Sequence, residues 1–172
     1  MKASVYCIAR TVEQAEIIVL ELKESGFNAD AISALLPDKR GTKDFAHEHS
    51  TKAPEGATTG GIAGLGIGAA LGWLAGIGAL AIPGLGPFIA AGPIMAALGG
   101  AAVGTAAGGI VGALVGMGIP ELEAKRYDEK IRGGNILLSV HTEDRKQRDI
   151  AKDIFKRHGA DDISSASEAS AK

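Results

Sequence analysis

The chain has 172 residues, of which 46% are hydrophobic, with a formal net charge of −2 and a single cysteine. This length allows one domain or two small ones. The charge excludes the basic stripe that neutralises nucleic-acid phosphates, and the lone Cys7 excludes an intramolecular disulfide.

Taken in order, Ser4 to Ala9 (SVYCIA) is a β-rich run, and Thr11 with Gln14 three residues later reads as a capping box that opens a helix. The helix is predicted from Val12 to Ser25 and stopped by Gly26. Ala31 to Leu36 (AISALL) is a second strand closed by Pro37. Residues 1–37 thus form a first β-α-β half, and the polar, aperiodic stretch 38–59 is a linker. Within the helix, the consecutive Ile17, Ile18, Val19 and Leu20 place apolar residues on more than one face.

Beyond the apolar insert, Pro120 opens a charged helix (ELEAKRYDEKIR) that Gly133-Gly134 stops. Asn135 to Val140 is the next strand. Glu143 to His158 is an amphipathic helix with Ile150, Ala151, Ile154 and Phe155 on one face, and Ala160 to Ser165 is a last short strand. Residues 119–165 form the second half and 166–172 a disordered tail. The two ends align as strand, helix, glycine, aspartate, Ile-Ser. The pattern predicts an α+β, ferredoxin-like βαββαβ domain with its helices on one face, interrupted between its second and third strands.

From Gly56 to Pro120 no residue is charged. Two ladders recur at four-residue spacing inside this run, Gly60, Gly64, Gly68, Gly72, Gly76 and Gly100, Gly104, Gly108, Gly112, Gly116. Segment 60–118 is expected to be a glycine-zipper α-helical hairpin with helices at 61–82 and 93–118, turning at Pro83-Gly84-Leu85-Gly86-Pro87. Helices of 22 and 26 residues are long enough to cross a hydrocarbon core of about 30 Å. Their Gly/Ala content makes them weakly hydrophobic for that task. Ten glycines forfeit on the order of 5–10 kcal/mol of helix propensity, a loss that close backbone packing has to offset. A four-residue row drifts around the helix, so the ladders are expected to serve packing within the hairpin and oligomerisation with neighbouring copies. The insert must also return to the side it left, because both halves share one sheet.

Chemical motifs are scarce. Gly66-x-Gly68-x-x-x-Gly72 follows no strand and meets no acidic residue before Glu121, which argues against a dinucleotide loop. His47-Glu48-His49 lies in the linker without a Cys or a third nearby His, so no metal site is expected. His141 and His158 read as capping or surface residues, and Cys7 as buried. No nucleophile stands with a base and an orienting group, so no enzyme activity, catalytic residue or cofactor is expected.

The segments SVYCIARTVEQAEIIVLELKESGF, KAPEGATTGGIAGLGIGAALGW and NILLSVHTEDRKQRDIAKDIFKRHGADDIS resemble the bacterial general-stress proteins, the heat-induced or low-temperature-induced family with a glycine-zipper insert. The resemblance implies stress-induced expression and a membrane or assembly role, with no catalytic residues. The expected function is a non-enzymatic stress-response protein that self-associates through the hairpin, inserted in or associated with the inner membrane. Its α/β domain would lie in the cytoplasm, since Met1 to Arg10 lacks the pattern of a signal peptide. The expected partners are other copies of the chain and membrane lipid, not nucleic acid. The alternative is a soluble, cytoplasmic self-assembling protein, a filament or ring with the hairpins as its core. A pore and a ligand-sensing regulatory domain are lesser readings.

Overall fold

The computed structural model describes residues 2–37, 71, 73–74, 78–82, 86–100 and 109–167. Strand β1 (Ala3–Ala9) leads into helix α1 (Val12–Glu24), and a 3-10 turn (Ala29–Ala31) leads into β2 (Ile32–Pro37). The insert supplies β3 (Gly78–Ile82), β4 (Gly86–Ala91), α2 (Pro93–Gly100) and α3 (Gly109–Gly116). Helix α4 (Glu121–Arg132), β5 (Ile136–Thr142), α5 (Arg145–Arg157) and β6 (Asp161–Ser167) follow.

The six strands form one sheet in the order β3-β4-β2-β5-β1-β6, and every neighbouring pair is antiparallel. The fold is therefore mixed α and β on an antiparallel sheet. Because side chains alternate along a strand, each central strand feeds two cores. Val5, Cys7 and Ala9 of β1 join Ile136, Leu138 and Val140 of β5 on the first face, under Ala15, Ile18, Val19 and Leu22 of α1 and Ala151, Ile154 and Phe155 of α5. Tyr6, Ile8, Leu35, Phe88 and Leu137 point to the second face, under Ile94 and Leu98 of α2, Ile110 and Leu114 of α3, and Tyr127 and Ile131 of α4. A side chain of this size, fully buried, contributes about 1.5–3 kcal/mol, so each face carries a core of its own.

The flanking helices start and stop within two residues of where their sequence predicts. Thr11 Oγ1 accepts from the Gln14 amide at 3.1 Å, and Gln14 Oε1 accepts from the Arg10 amide at 2.8 Å. Asp144 and Gln147 repeat the arrangement at α5: Asp144 Oδ1 accepts from the Gln147 amide and Gln147 Oε1 from the Glu143 amide, each at 2.8 Å. The same cap thus opens both outer helices, and α5 begins two residues later than the Glu143 expected for it. Gly26 closes α1 with a φ of +91°, the left-handed conformation that favours glycine at a helix end. Of the four consecutive apolar residues in α1, Ile18 and Val19 are buried while Ile17 and Leu20 stay exposed.

Several expectations are corrected. Residues 78–82, placed in the first long helix, are a strand, and Gly86-Pro87, placed in the turn, opens β4. Of the expected helix over 93–118, the described residues hold α2 and α3, and residues 101–108 lie outside the described residues. Once β3 pairs with β4, and β4 with the outer side of β2, the apolar run extends the sheet. Ala166 and Ser167, assigned to the tail, belong to β6, where Ser167 lies opposite Ala3 and Ala166 opposite Ser4. The face opposite α1 and α5 is covered by α2, α3 and α4. The linker at 38–59 and most of 61–77 lie outside the described residues.

Candidate functional site

Of the two glycine ladders, only three rungs of the second fall among the described residues. Gly100 ends α2, and Gly112 and Gly116 lie in α3; Gly60, Gly64, Gly68, Gly72, Gly76, Gly104 and Gly108 lie outside the described residues, as do His47 and His49. A Cβ added at Gly116 would meet no atom within 4 Å among the described residues, so no neighbour described here presses on that rung.

Gly92 is constrained in the opposite sense. Its φ is +73°, and an added Cβ would sit 2.3 Å from the Ile32 carbonyl oxygen and 2.8 Å from Ser33 Oγ. No side chain fits there. The chain can therefore leave β4 and start α2 directly over β2, where the Ile94 amide donates to Ser33 Oγ at 3.3 Å.

Ser33 begins a row of polar residues that crosses the second face of the sheet. The strand register sets Ser33 opposite Ser139, Ser139 opposite Tyr6, and Tyr6 opposite Ser164. One pleat further on, Ser4 stands opposite His141. Ser4 and Ser139 are buried and Tyr6 is fully enclosed, on a face that also carries Ile8, Leu35, Phe88 and Leu137.

A cavity of about 360 Å³ opens over this row. Its floor is Ser4, Tyr6, Ser139 and His141, and its walls include Ala31, Pro93, Val115, Met117 and the backbone of Gly116 and Gly118 at the end of α3. Of these side chains only His141 and Tyr6 are titratable, and none is Asp, Glu, Lys or Arg.

At the far end of the row Tyr127 ties α4 to β6. Its hydroxyl donates its single proton to the Asp162 carbonyl at 2.6 Å, so the Ser164 hydroxyl, also at 2.6 Å, is the donor in the second bond. Burial pushes the Tyr127 phenol well above its ordinary range. The Tyr6 and Tyr127 rings lie 6.3 Å apart between centroids, tilted by 39°. Asp162 has a φ of +48°, a region that aspartate tolerates better than most residues. Arg126 and Lys130 each approach its carboxylate to 3.8 Å.

On the first face the polar contacts are peripheral. The His158 ring and the Arg157 guanidinium both bond to the Glu21 carboxylate, joining the ends of α1 and α5. His158 is the residue that caps α5, in keeping with the role expected for it. Cys7 is buried as expected, and burial raises its thiol well above the usual range, which keeps it protonated and unreactive. Lys23 Nζ lies 4.8 Å over the Trp73 ring, and Leu71 and Leu74 join the same core, so this part of the insert docks beside α1.

His141 departs from its expected position, since it lies within β5 and borders the cavity. Sequence reasoning missed Ser4, Ser33, Ser139 and His141 as a group. The available signal was their parity: in SVYCIA, AIS and NILLSVH the polar residues fall on one side of each strand. Comparison of the chain with protein-family models, with curated proteins and with solved structures gives no match.

Proposed function

We propose that the protein is a non-enzymatic, self-associating member of the stress response, with a ferredoxin-like domain at its centre and the apolar insert as the element that joins copies. The order β2-β5-β1-β6, antiparallel throughout, with α1 and α5 on one face, supports the ferredoxin-like reading. The sequence resemblance supports the stress role.

The observation that carries self-association is the contrast between the two edges of the sheet. β6 closes one edge with Asp161, Asp162 and a register shift opposite β1, features that discourage further pairing. β3 closes the other with Gly-Ala-Leu-Ala-Ile, without charge, proline or bulge, and no described strand pairs with its outer side. An uncharged edge of this kind is a template for a second strand. Two copies related by a twofold axis could pair their β3 strands into one continuous sheet. The membrane form of the proposal rests on the uncharged run from Gly56 to Pro120 and on the resemblance; no helix among the described residues is long and apolar enough to cross a bilayer.

The test is light scattering on the full chain in lipid-free buffer, together with flotation on phosphatidylethanolamine/phosphatidylglycerol vesicles. A dimer or larger species that Ala79→Lys with Ala81→Lys converts to monomer, with circular dichroism unchanged, supports edge pairing. A species that survives those changes but is lost in Gly68→Leu with Gly108→Leu assigns assembly to the ladders. A wild-type monomer in both buffer and vesicles overturns self-association.

A further inference from the structure

We infer that the insert is a convertible element whose partner is a lipid bilayer. On the domain it is sheet and short helices; against the bilayer β3, β4, α2 and α3 leave the sheet together and enter the hydrocarbon as helix, while β2-β5-β1-β6 stays folded. The inference deepens the membrane form of the function proposed above and rests on it.

The charge pattern selects lipid. All six exposed positions of α5 are charged, as the water-facing side of a helix ordinarily is. The outer side of α2 and α3 is built differently: Pro93 and Val115 are exposed and Met95, Ala97, Val111 and Gly112 half-buried, without a charge among them. No charged residue stands anywhere between Gly56 and Pro120, so the insert is uncharged on every side, not only where it meets the sheet. A second copy requires an uncharged surface only where it makes contact. A bilayer requires one all round.

Lipid also dictates the change of form. Backbone groups in hydrocarbon must be bonded internally, which excludes an open sheet edge such as the outer side of β3, where no described strand pairs. Helices of eight residues, as α2 and α3 are, span about 12 Å of a hydrocarbon core of about 30 Å. The sheet-bound form therefore cannot enter as it stands. Rebuilt as helix, the segment bonds its own backbone, and the ranges 61–82 and 93–118 have the length to cross.

The conversion is confined to one unit. Phe88, Ile94, Leu98, Ile110 and Leu114 exchange one apolar environment for another. Gly-Ala-Leu-Ala-Ile is a strand through its pairing with β4, although Ala and Leu are strong helix formers. A single strand seam joins this unit to the rest of the sheet, Phe88 to Ala91 of β4 against Ala34 to Pro37 of β2. The domain loses cover over Leu35 and Leu36 at that seam. It keeps the pairing of β2, β5, β1 and β6, and α4 stays tied to β6 through Tyr127.

The test uses the full chain in buffer and in phosphatidylethanolamine/phosphatidylglycerol nanodiscs. Carbon chemical shifts at 79–81 and 88–90 should move from strand to helix values in the nanodiscs, with those at 5–8 and 137–140 unchanged. A reversible lock gives the second reading. Ala34 lies opposite Ala91, so Ala34→Cys with Ala91→Cys, in a Cys7→Ala chain, sets a disulfide across the seam. Oxidised, this chain should float on vesicles of the same lipids several-fold less than when reduced. A wild type that floats with strand shifts retained at 79–81 and 88–90 overturns the conversion and leaves membrane association standing, whereas a wild type that does not float overturns both. Equal flotation of the oxidised and reduced chains, or loss of strand shifts at 137–140, also overturns the conversion. Helix shifts that appear in lipid-free buffer as protein concentration rises would assign the uncharged faces to a second copy and overturn lipid as the partner.

Discussion

The two faces of the sheet are made by the same strands and differ in kind. Toward α1 and α5, the strands present mainly aliphatic side chains with Cys7 and, at the end of β5, the buried Thr142, and the helices answer with Ile18, Leu22, Ile154 and Phe155. Toward α2, α3 and α4, the same strands present Ser4, Tyr6, Ser33, Ser139 and His141 among their apolar residues, and a cavity remains. The first face is covered mainly by helices local to each β-α-β half, joined at their ends through Glu21, Arg157 and His158. The second is covered by helices from the insert and from α4, which enter the domain from elsewhere in the chain. A face closed by its own crossover helices can be wholly apolar and tightly packed. A face closed by an insertion can retain polar groups and space.

This contrast can be broken experimentally, beginning with the largest effect. Phe155→Ala on the first face is expected to cost about 3–5 kcal/mol in urea unfolding, because a fully buried aromatic leaves a cavity that packed helices cannot close. Ile94→Ala on the second face is expected near the lower limit for such truncations, about 2 kcal/mol. A cost for Ile94→Ala that equals that of Phe155→Ala, although a smaller side chain is removed, would mean that the second face is the more rigid of the two.

Gly92→Ala is the more selective change. A left-handed backbone and a Cβ 2.3 Å from the Ile32 carbonyl together imply about 2–4 kcal/mol of strain and overpacking. Hydrogen exchange should show protection lost at 94–98 and 110–114 and retained at 15–22 and 151–155. Uniform loss would show that the faces unfold as one unit.

Tyr127→Phe removes the donor to the Asp162 carbonyl and the acceptor for Ser164, and should cost about 1–2 kcal/mol. Thr11→Ala and Asp144→Ala remove matching caps from α1 and α5 and should cost about 1 kcal/mol each. Unequal costs would show that the repeated halves are not energetically alike.

The smallest effect is a pH dependence. The Arg10 guanidinium donates to both carboxylate oxygens of Asp161, at 2.7 and 3.1 Å, and holds its carboxyl below the usual range. A lowered carboxylate value contributes stability at pH above the unfolded value of about 3.9, and that contribution fades as pH falls through the folded value. The melting-temperature advantage of wild type over Asp161→Asn should therefore be small at pH 7, where solvent screens the pair, and vanish once acid protonates the folded carboxylate. An advantage that grows on acidification would reverse the assigned sign.

The flanks were legible in the sequence because their signals are local. Thr11 and Gln14, Gly26, and the apolar spacing of Ala151, Ile154 and Phe155 each act within one or two turns, and each appears where its pattern places it. The insert was not legible for the converse reason. Gly-Ala-Leu-Ala-Ile has no polar residue and hence no period, so helix and strand cannot be told apart until a pairing partner is known. That partner is β4, which is itself held by Ala34 to Pro37 of β2. Ala166 and Ser167 escaped notice similarly, because a short Ser/Ala segment becomes a strand only through the backbone bonds that β1 offers. The polar row was present as four separate serine and histidine positions, Ser4, Ser33, Ser139 and His141, on three strands, and only the register makes them neighbours.

The sequence by itself determined where the flanking helices begin and end to within two residues, the burial of Cys7 and the absence of charge from the insert, since these depend on composition and on contacts a few residues apart. Tertiary structure alone decided that part of the insert is sheet, that its helices cover the second face, and that Ser4, Ser139 and His141 share a cavity. Each of these depends on backbone pairing between segments distant in the chain, whose hydrogen-bonding groups are the same for every residue and leave no mark in the side chains.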